Sequence, residues 1–167
     1  MILNRYSLLI NLQIKVARLI FRISPFAGKV YSFFFDPFCL FLLGIDMTSY
    51  TVNIKKLSIA HPVGILLGGN GIVSSGTVII SSGVKFVGKS PADPAYLRKH
   101  ASKSVFTLGT NVFIGAGCVL VGPLSICDNV IIGAMSLVTK SIDVPGTYVG
   151  NPLRRISDSC DSSWFQV

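Results

Sequence analysis

The sequence contains little acidic charge and only two histidines. Its 167 residues include 7 Asp and Glu against 15 Lys and Arg, which gives a formal net charge of +8. A basic balance favours anionic ligands such as nucleic acid, anionic lipid or a phosphorylated cofactor. Nucleic acid is disfavoured as a partner, because the aromatic residues cluster in the N-terminal third and no helix-turn-helix, zinc-finger or single-strand-binding motif is present.

Cysteine is also scarce, and its spacing excludes the common metal motifs. The four cysteines are Cys39, Cys118, Cys127 and Cys160. They do not form the paired clusters that hold zinc, so no metal is expected. We interpret them as reduced packing residues of a cytoplasmic protein. The N-terminus does not resemble a signal peptide, because basic residues are scattered through its apolar stretch.

Polar surface is limited as well, since half of the residues are hydrophobic and the mean hydropathy is +0.64. Much of this apolar character lies in residues 1–44, where Met1 to Arg22 shows helical spacing and Val30 to Leu43 forms a second apolar segment. The second segment is interpreted as too short and too interrupted to span a bilayer. We expect a helical cap that closes one end of the protein. Membrane-surface contact by a basic amphipathic segment, at the inner face of the membrane, is the alternative.

The sequence is rich in one pattern, a six-residue repeat between Phe106 and Val138. Aliphatic residues return at every sixth position, at Leu108, Ile114, Leu120, Ile126, Ile132 and Val138. Because six is a multiple of the strand period of two, each residue two positions earlier shares the same face of a short strand. Those earlier residues are Phe106, Val112, Cys118, Leu124, Val130 and Ser136. The pattern predicts a coil of parallel strands, three per turn, whereas an ordinary β-sandwich predicts no strict six-residue period.

The same step extends toward the N-terminus and divides the chain into segments. Leu67, Val73 and Ile79 already keep the six-residue spacing, so the coil is expected to begin before the regular stretch. The period is lost in residues 87–105, which are polar, basic and proline-containing, and a loop is predicted there. The expected organisation is an apolar helical cap (1–44), a coiled β domain (45–156) and a polar C-terminal tail (157–167).

Three stretches together resemble a known family. They are His61-Pro62-Val63-Gly64-Ile65-Leu66-Leu67-Gly68, the six-residue repeats, and the closing run of Ile132–Lys140 followed by Val149–Arg154. They resemble the hexapeptide-repeat acyltransferases, and most of all the serine O-acetyltransferase branch, which includes sugar O-acetyltransferases of polysaccharide synthesis. The resemblance covers about residues 44–156. It implies an all-β left-handed parallel β-helix, a homotrimer, and acetyl-coenzyme A bound between neighbouring subunits.

The resemblance also suggests catalytic residues. His61 matches the family's catalytic histidine, and Asp46 precedes it by the family spacing for its carboxylate partner. A neutral imidazole suits a general base at neutral pH, and a carboxylate would fix its tautomer. His100 matches the family's second active-site histidine more loosely. The alternatives are a turn histidine for His61, a cap or turn residue for Asp46, and a solvated basic loop for His100.

For the coenzyme, the resemblance implies main-chain contacts at Gly115-Ala116 and Gly133-Ala134. Lys140 and Arg154 are the expected phosphate contacts, since a nucleotide cofactor needs cations. The alternative for each glycine is a corner requirement of the coil, and for each cation a solvated surface position.

The expected function is acetyl transfer from acetyl-coenzyme A to a hydroxyl, with a sugar of cell-surface polysaccharide synthesis favoured as acceptor. The first alternative is a serine O-acetyltransferase of cysteine biosynthesis. A second is a catalytically silent solenoid that serves as a scaffold. It is motivated by two departures from the family, at Ala60, where Asp is common, and at Ser81-Ser82, where Gln or His is common.

Overall fold

A computed structural model describes residues 5–68, 71–90, 92–100 and 105–165. This part of the chain contains three helices, α1 (Arg5–Ile23), α2 (Pro25–Leu43) and α3 (Pro94–His100). Its strands are β1 (Ile45–Met47), β2 (Val52–Ile59), β3 (Ile65–Leu67), β4 (Ile72–Ile80), β5 (Lys85–Gly88), β6 (Phe106–Leu108), β7 (Val112–Ile114), β8 (Val119–Gly122), β9 (Leu124–Ile126), β10 (Val130–Ile132), β11 (Leu137–Val138), β12 (Gly146–Val149) and β13 (Arg154–Ser157). Short 3₁₀ turns span Ser49–Thr51 and Ser162–Phe165.

The strands stack as a coil with three faces. The first face consists of β1, β3, β5, β8 and β11 in parallel register. The second contains the first halves of β2 and β4 with β6 and β9, and the third contains their second halves with β7, β10 and β12. Each strand therefore pairs with its counterpart one turn later, as the six-residue period predicts. The last strand, β13, pairs antiparallel with β12.

The interior of the coil is filled by the residues that the period selected. All twelve positions predicted to face inward between Phe106 and Val138 are buried, with at most 5% of each residue exposed. The rings of Phe86 and Phe106 meet edge to face with their centroids 5.0 Å apart. Burial of this continuous apolar core is the main stabilising contribution to the fold, and the prediction of a repeat protein is confirmed.

The extension of the period to the second turn of the coil is wrong by one residue. Val73 and Ile79 were expected to face inward with Leu67, but they pair with the outward-facing Thr107 and Phe113. The inward positions are Ile72, Ser74, Val78 and Ile80. Four residues separate Leu67 from Ile72 along the chain, whereas only three separate the equivalent positions Leu120 and Leu124. One additional residue reverses which side chains face the core, because the strand period is two.

Two helices close the N-terminal end of the coil. Ser24 ends the first helical run and caps α2, where its hydroxyl accepts the N–H of Ala27 at 3.3 Å. Gly44 ends α2 with φ of +64°, the left-handed conformation that glycine adopts without strain. On α1, Ile10 and Ile14 belong to the same apolar cluster as the coil interior. The expected helical N-terminal region is therefore present and packed against the strands.

The expectation that the second apolar segment is too short to span a bilayer needs correction. The helix begins at Pro25 instead of Val30, because proline is well suited to the first helical turn. An 18-residue window of this 19-residue helix has a mean hydropathy of 1.4, so α2 is long enough and apolar enough to cross a membrane by length and composition. Only 17% of that window is buried within the protein.

Two further segments lie outside the regular coil. An insertion that includes α3 follows β5, and Val105 is again part of the coil, which agrees with the loop predicted over residues 87–105. At the C-terminus, the ring of Trp164 packs against Phe113 on the outside of the third face, with 4.6 Å between ring centroids. The six-residue repeat does not predict this aromatic contact.

Candidate active site

One edge of the coil, between the third and first faces, carries most of the predicted site residues. At this edge, a backbone N–H of each turn donates a hydrogen bond to a carbonyl oxygen of the next turn, over 2.8 to 3.0 Å. The four bonds are Ala60 N–H to Ile80 O, Ser81 N–H to Ile114 O, Gly115 N–H to Ile132 O and Gly133 N–H to Tyr148 O. Successive turns are about 4.8 Å apart. The ladder therefore aligns Ala60, Ser81, Gly115 and Gly133 in one column.

His61 protrudes from this edge. The later turns place two residues at the corner, such as Ser81 and Ser82 before Gly83. The first turn has four, since Gly83 N–H bonds to Val63 O and Ala60 N–H to Ile80 O. His61 is one of the two additional residues, it is exposed, and its φ of +56° is uncommon for a residue with a side chain. Such an outlier motivates a functional hypothesis.

Asp46 lies beside this corner on the neighbouring turn. Asp46 is on β1, two residues after Gly44. Gly44 is close to the His61 corner, because a Cβ added to Gly44 would be 3.5 Å from the carbonyl oxygen of Pro62. Asp46 is exposed and lines a cavity of about 530 Å³ between β1 and α2. Within the described residues, Asp46 and His61 make no hydrogen bond to each other, and their pairing stays a prediction.

Gly115 and Gly133 lie where adjacent backbones approach closely. A Cβ on Gly115 would be 2.6 Å from the backbone nitrogen of Ala134, and one on Gly133 would be 2.6 Å from Cγ1 of Val149. Ala116 is half-buried and Ala134 is exposed, so both are small residues on the same edge. The glycines satisfy the packing of the coil, and the same column presents backbone and methyl groups to a ligand.

Lys140 and Arg154 line one cavity of about 520 Å³ at the C-terminal end of the coil. Tyr148 and Leu153, which share this cavity, also pack against the apolar core. Asp143 is a further lining residue and partly offsets the positive charge. The structure thus brings the two predicted phosphate contacts together at the C-terminal end of the coil, with Lys140 between β11 on the first face and Ile142, which pairs with Ile126 on the second.

His100 is the last residue of α3, and its side chain lies outside the described residues. The insertion that carries it leaves the coil between β5 on the first face and β6 on the second. His61 protrudes from a different edge. Within one chain, these two histidines are therefore attached to separate edges of the coil.

Sequence reasoning missed three polar side chains that share the cavity of Asp46. Lys29, Ser32 and Asp36 of α2 all line it. Ser32 and Asp36 are four residues apart, which places them on one face of the helix. That spacing of polar residues in a Phe-rich segment was the available signal.

Comparisons with known proteins agree with this geometry. The bacterial transferase hexapeptide (six repeats) model matches residues 107–140. The serine acetyltransferase of Staphylococcus aureus strain Mu50 is 32% identical over 112 residues, which make up 67% of this chain and 48% of that protein. The chain spans about half the length of the curated relatives it matches.

Solved structures show the same fold. The crystal structure of serine acetyltransferase from Vibrio cholerae has a TM-score of 0.75 at 20% identity, over 97% of this chain and 59% of that chain. A serine acetyltransferase in complex with CoA has a TM-score of 0.64 at 18% identity, over 86% of this chain and 54% of that chain.

The repeat, the coil and these similarities establish the class, and the chain belongs to the hexapeptide-repeat acyltransferase superfamily. Within that superfamily it falls in the serine O-acetyltransferase branch, as the sequence resemblance predicted.

Proposed function

We propose that the protein is an O-acetyltransferase that moves an acetyl group from acetyl-coenzyme A to a hydroxyl. The observation that carries the proposal is the position of His61, which protrudes from the same edge that presents Gly115-Ala116 and Gly133-Ala134 on later turns. A general base at this edge suits the thioester end of acetyl-coenzyme A, and the small residues along the same edge suit its pantetheine arm. The names of the relatives support the same activity.

In the proposed reaction His61 acts as the general base. Its neutral imidazole takes the proton of the acceptor hydroxyl while the oxygen attacks the thioester carbonyl carbon. The C–S bond then breaks, and the thiol of coenzyme A leaves after protonation by the imidazolium. Asp46, on the adjacent turn, orients the imidazole and stabilises its charged form. The step needs no covalent intermediate on the protein.

Coenzyme A is proposed to run along the edge past Gly115 and Gly133, where no side chain separates a ligand from the backbone. Lys140 and Arg154 are proposed to contact its phosphates, because both cations line one cavity at the C-terminal end of the coil. The relative that binds CoA is a serine acetyltransferase with the same fold.

A homotrimer of left-handed coils is part of this proposal. Since His61 and the insertion with His100 leave from different edges, one chain does not bring both histidines into one site. In a trimer, the insertion of one subunit would reach the His61 edge of its neighbour. The left-handed sense of the coil is adopted from the family resemblance.

The acceptor is proposed to be serine or a compound like it. Several relatives are serine acetyltransferases, which favours serine over the sugar that the sequence had suggested. The sugar acceptor remains a second candidate because of Ala60 and Ser81-Ser82, where this chain departs from the family pattern next to the proposed base.

An acceptor screen with acetyl-coenzyme A and detection of the released thiol tests the proposal. We expect thiol release that depends on serine and is lost in His61→Ala. Release with nucleotide-linked or lipid-linked sugars and none with serine would reassign the acceptor. A protein that fails to bind acetyl-coenzyme A in calorimetry would be a silent scaffold, and the proposal would be abandoned.

A further inference from the structure

The helical hairpin α1–α2 has polar side chains turned inward and aromatic side chains turned outward. On α2, Ser32 is buried and Asp36 is half-buried. The exposed large apolar residues of α2 are Phe26, Val30, Phe33, Phe34, Phe35, Phe38, Leu40, Phe41 and Leu42, with Phe41 87% exposed. This distribution is the reverse of what water favours, and a contiguous apolar surface of this kind marks an interaction site.

The inward polar residues of α2 form hydrogen bonds with the first turn of the coil and with α1. The hydroxyls of Ser32 and Ser49 are 3.0 Å apart in a buried hydrogen bond. One carboxylate oxygen of Asp36 accepts the backbone N–H of Ser49 at 3.0 Å, and the other accepts a hydrogen bond from Gln13 at 3.2 Å. Crossing a bilayer would break these bonds and expose the polar groups to lipid, which costs several kcal/mol for each unsatisfied group. The helix therefore lies flat against the folded domain.

The first helix adds a second apolar stripe with a basic border. Leu8, Leu12 and Leu19 are exposed and recur at the spacing of one helix face. Lys15 and Arg22 are also exposed and lie along one side of this stripe, at the helical angle of about 100° per residue. Leucines with cations beside them are the pattern of a helix that lies in a membrane interface.

We propose that the hairpin α1–α2 is an in-plane membrane-binding surface whose partner is an anionic lipid bilayer. Charge complementarity supports lipid, because residues 5–43 contain five cations and Asp36 as the single acid. A second copy of this face would bring the same cations together. Lipid also suits the width of the surface. Exposed Phe33, Phe34 and Phe35 together span about 200° of the helix circumference, more than one flat protein surface covers.

The proposal is tested by flotation of the full-length protein with vesicles, without acetyl-coenzyme A. One set is pure phosphatidylcholine, and the other contains about one-third phosphatidylglycerol to supply the negative surface potential. We expect flotation with the anionic vesicles. The triple variant Phe34→Gln, Phe38→Gln, Phe41→Gln should bind at least about tenfold more weakly for each aromatic side chain removed. The double variant Lys15→Gln, Arg22→Gln should bind anionic vesicles roughly fivefold more weakly for each cation removed. Its binding to pure phosphatidylcholine vesicles should not change.

Matched controls separate this result from misfolding. Leu97 and Ile156 are exposed apolar residues outside the hairpin, and Leu97→Gln with Ile156→Gln should float like the parent protein. Circular dichroism should show equal helix content in all variants, since the substituted side chains are exposed. No flotation of the parent protein with anionic vesicles would overturn the proposal. Light scattering gives a second contradicting outcome. If the parent protein does not bind vesicles and the triple Phe variant forms a smaller oligomer than the parent, a second copy of the chain covers the hairpin and the proposal is wrong.

Discussion

Asp36 and Ser49 join the helical hairpin to the first turn of the coil, with 3.0 Å between Oδ2 of Asp36 and the backbone nitrogen of Ser49. Ser49 is fully buried, so its N–H has no access to water if the carboxylate is removed. We expect Asp36→Ala to lower the free energy of unfolding by about 1–3 kcal/mol, the cost of an unsatisfied buried donor. Chemical denaturation followed by circular dichroism measures this loss. The control Asp143→Ala removes an exposed carboxylate and should change stability by about 0.5 kcal/mol or less.

Gly115 is predicted to tolerate no side chain. In Gly115→Ala the new Cβ would meet the backbone of the next turn, at 2.6 Å from Ala134 N and 2.8 Å from Ile132 O. Because backbone cannot move aside as a side chain does, overpacking should cost about 1–3 kcal/mol and displace the proposed coenzyme track. Thermal denaturation and calorimetry with coenzyme A measure the two effects. Gly88→Ala is the control, since its Cβ would meet only the tip of Tyr96 at 3.3 Å. Equal stability of the two variants would contradict the account.

The six-residue period predicted the coil because the coil repeats one local rule. Inward positions from Phe106 to Val138 follow from the strand period and need no knowledge of distant contacts. The prediction failed at Val73 and Ile79, because one additional residue before this strand exchanges the inward-facing and outward-facing positions. Corner length is set by backbone packing between turns, and periodicity does not report it.

The site was less accessible from the sequence. The family resemblance selected His61, but nothing in the spacing indicated that it has a positive φ or that its corner is enlarged by two residues. Proximity of Lys140 and Arg154 depends on the antiparallel return of β13, which the repeat does not encode. The polar residues of α2 were hidden in an apolar segment, because their inward direction depends on how the hairpin docks.

Trp164 is expected to report docking of the C-terminal segment. It is the single tryptophan of the chain, and its ring contacts Phe113. Phe113→Ala should therefore shift the fluorescence emission to longer wavelength and lower stability by about 0.5–1.5 kcal/mol beyond the lost burial. Phe34→Ala is the control, because Phe34 belongs to the hairpin and should leave the emission unchanged. An unshifted spectrum for Phe113→Ala would show that the contact does not persist in solution.

Cys118 is predicted to make stability fall in alkaline solution. Burial raises the pKa of the Cys118 thiol above its usual range, and hydrogen bonds near Ser136 offset this only in part. The folded protein therefore keeps the proton where the unfolded chain releases it. Below the ordinary thiol pKa of about 8.5 this group does not change the free energy of unfolding. Above it, ionisation of the unfolded thiol lowers the free energy of unfolding by up to about 1.4 kcal/mol per pH unit. Denaturant midpoints across this range should fall less steeply in Cys118→Ala. Parallel curves for the two proteins would refute the assignment.

Asp46 is predicted to act through His61. Asp46→Asn keeps the shape of the side chain and removes the charge that stabilises the imidazolium. We expect a loss in kcat with little change in KM for acetyl-coenzyme A, and a pH–rate profile whose acidic limb shifts to lower pH, because the imidazolium is no longer stabilised. Asp93→Asn, in the insertion, is the control. If Asp46→Asn leaves the pH profile unchanged, Asp46 is structural.

The most direct test of the account is the rate of acetyl transfer by His61→Ala. A general base contributes about 10²–10⁴-fold, so kcat/KM should fall by at least about a hundredfold while calorimetry shows unchanged binding of coenzyme A. Val63→Ala alters an exposed side chain in the same turn and serves as the matched control. Its rate should stay within about twofold of the parent protein, since surface substitutions rarely perturb the fold. Undiminished transfer by His61→Ala would contradict the central claim.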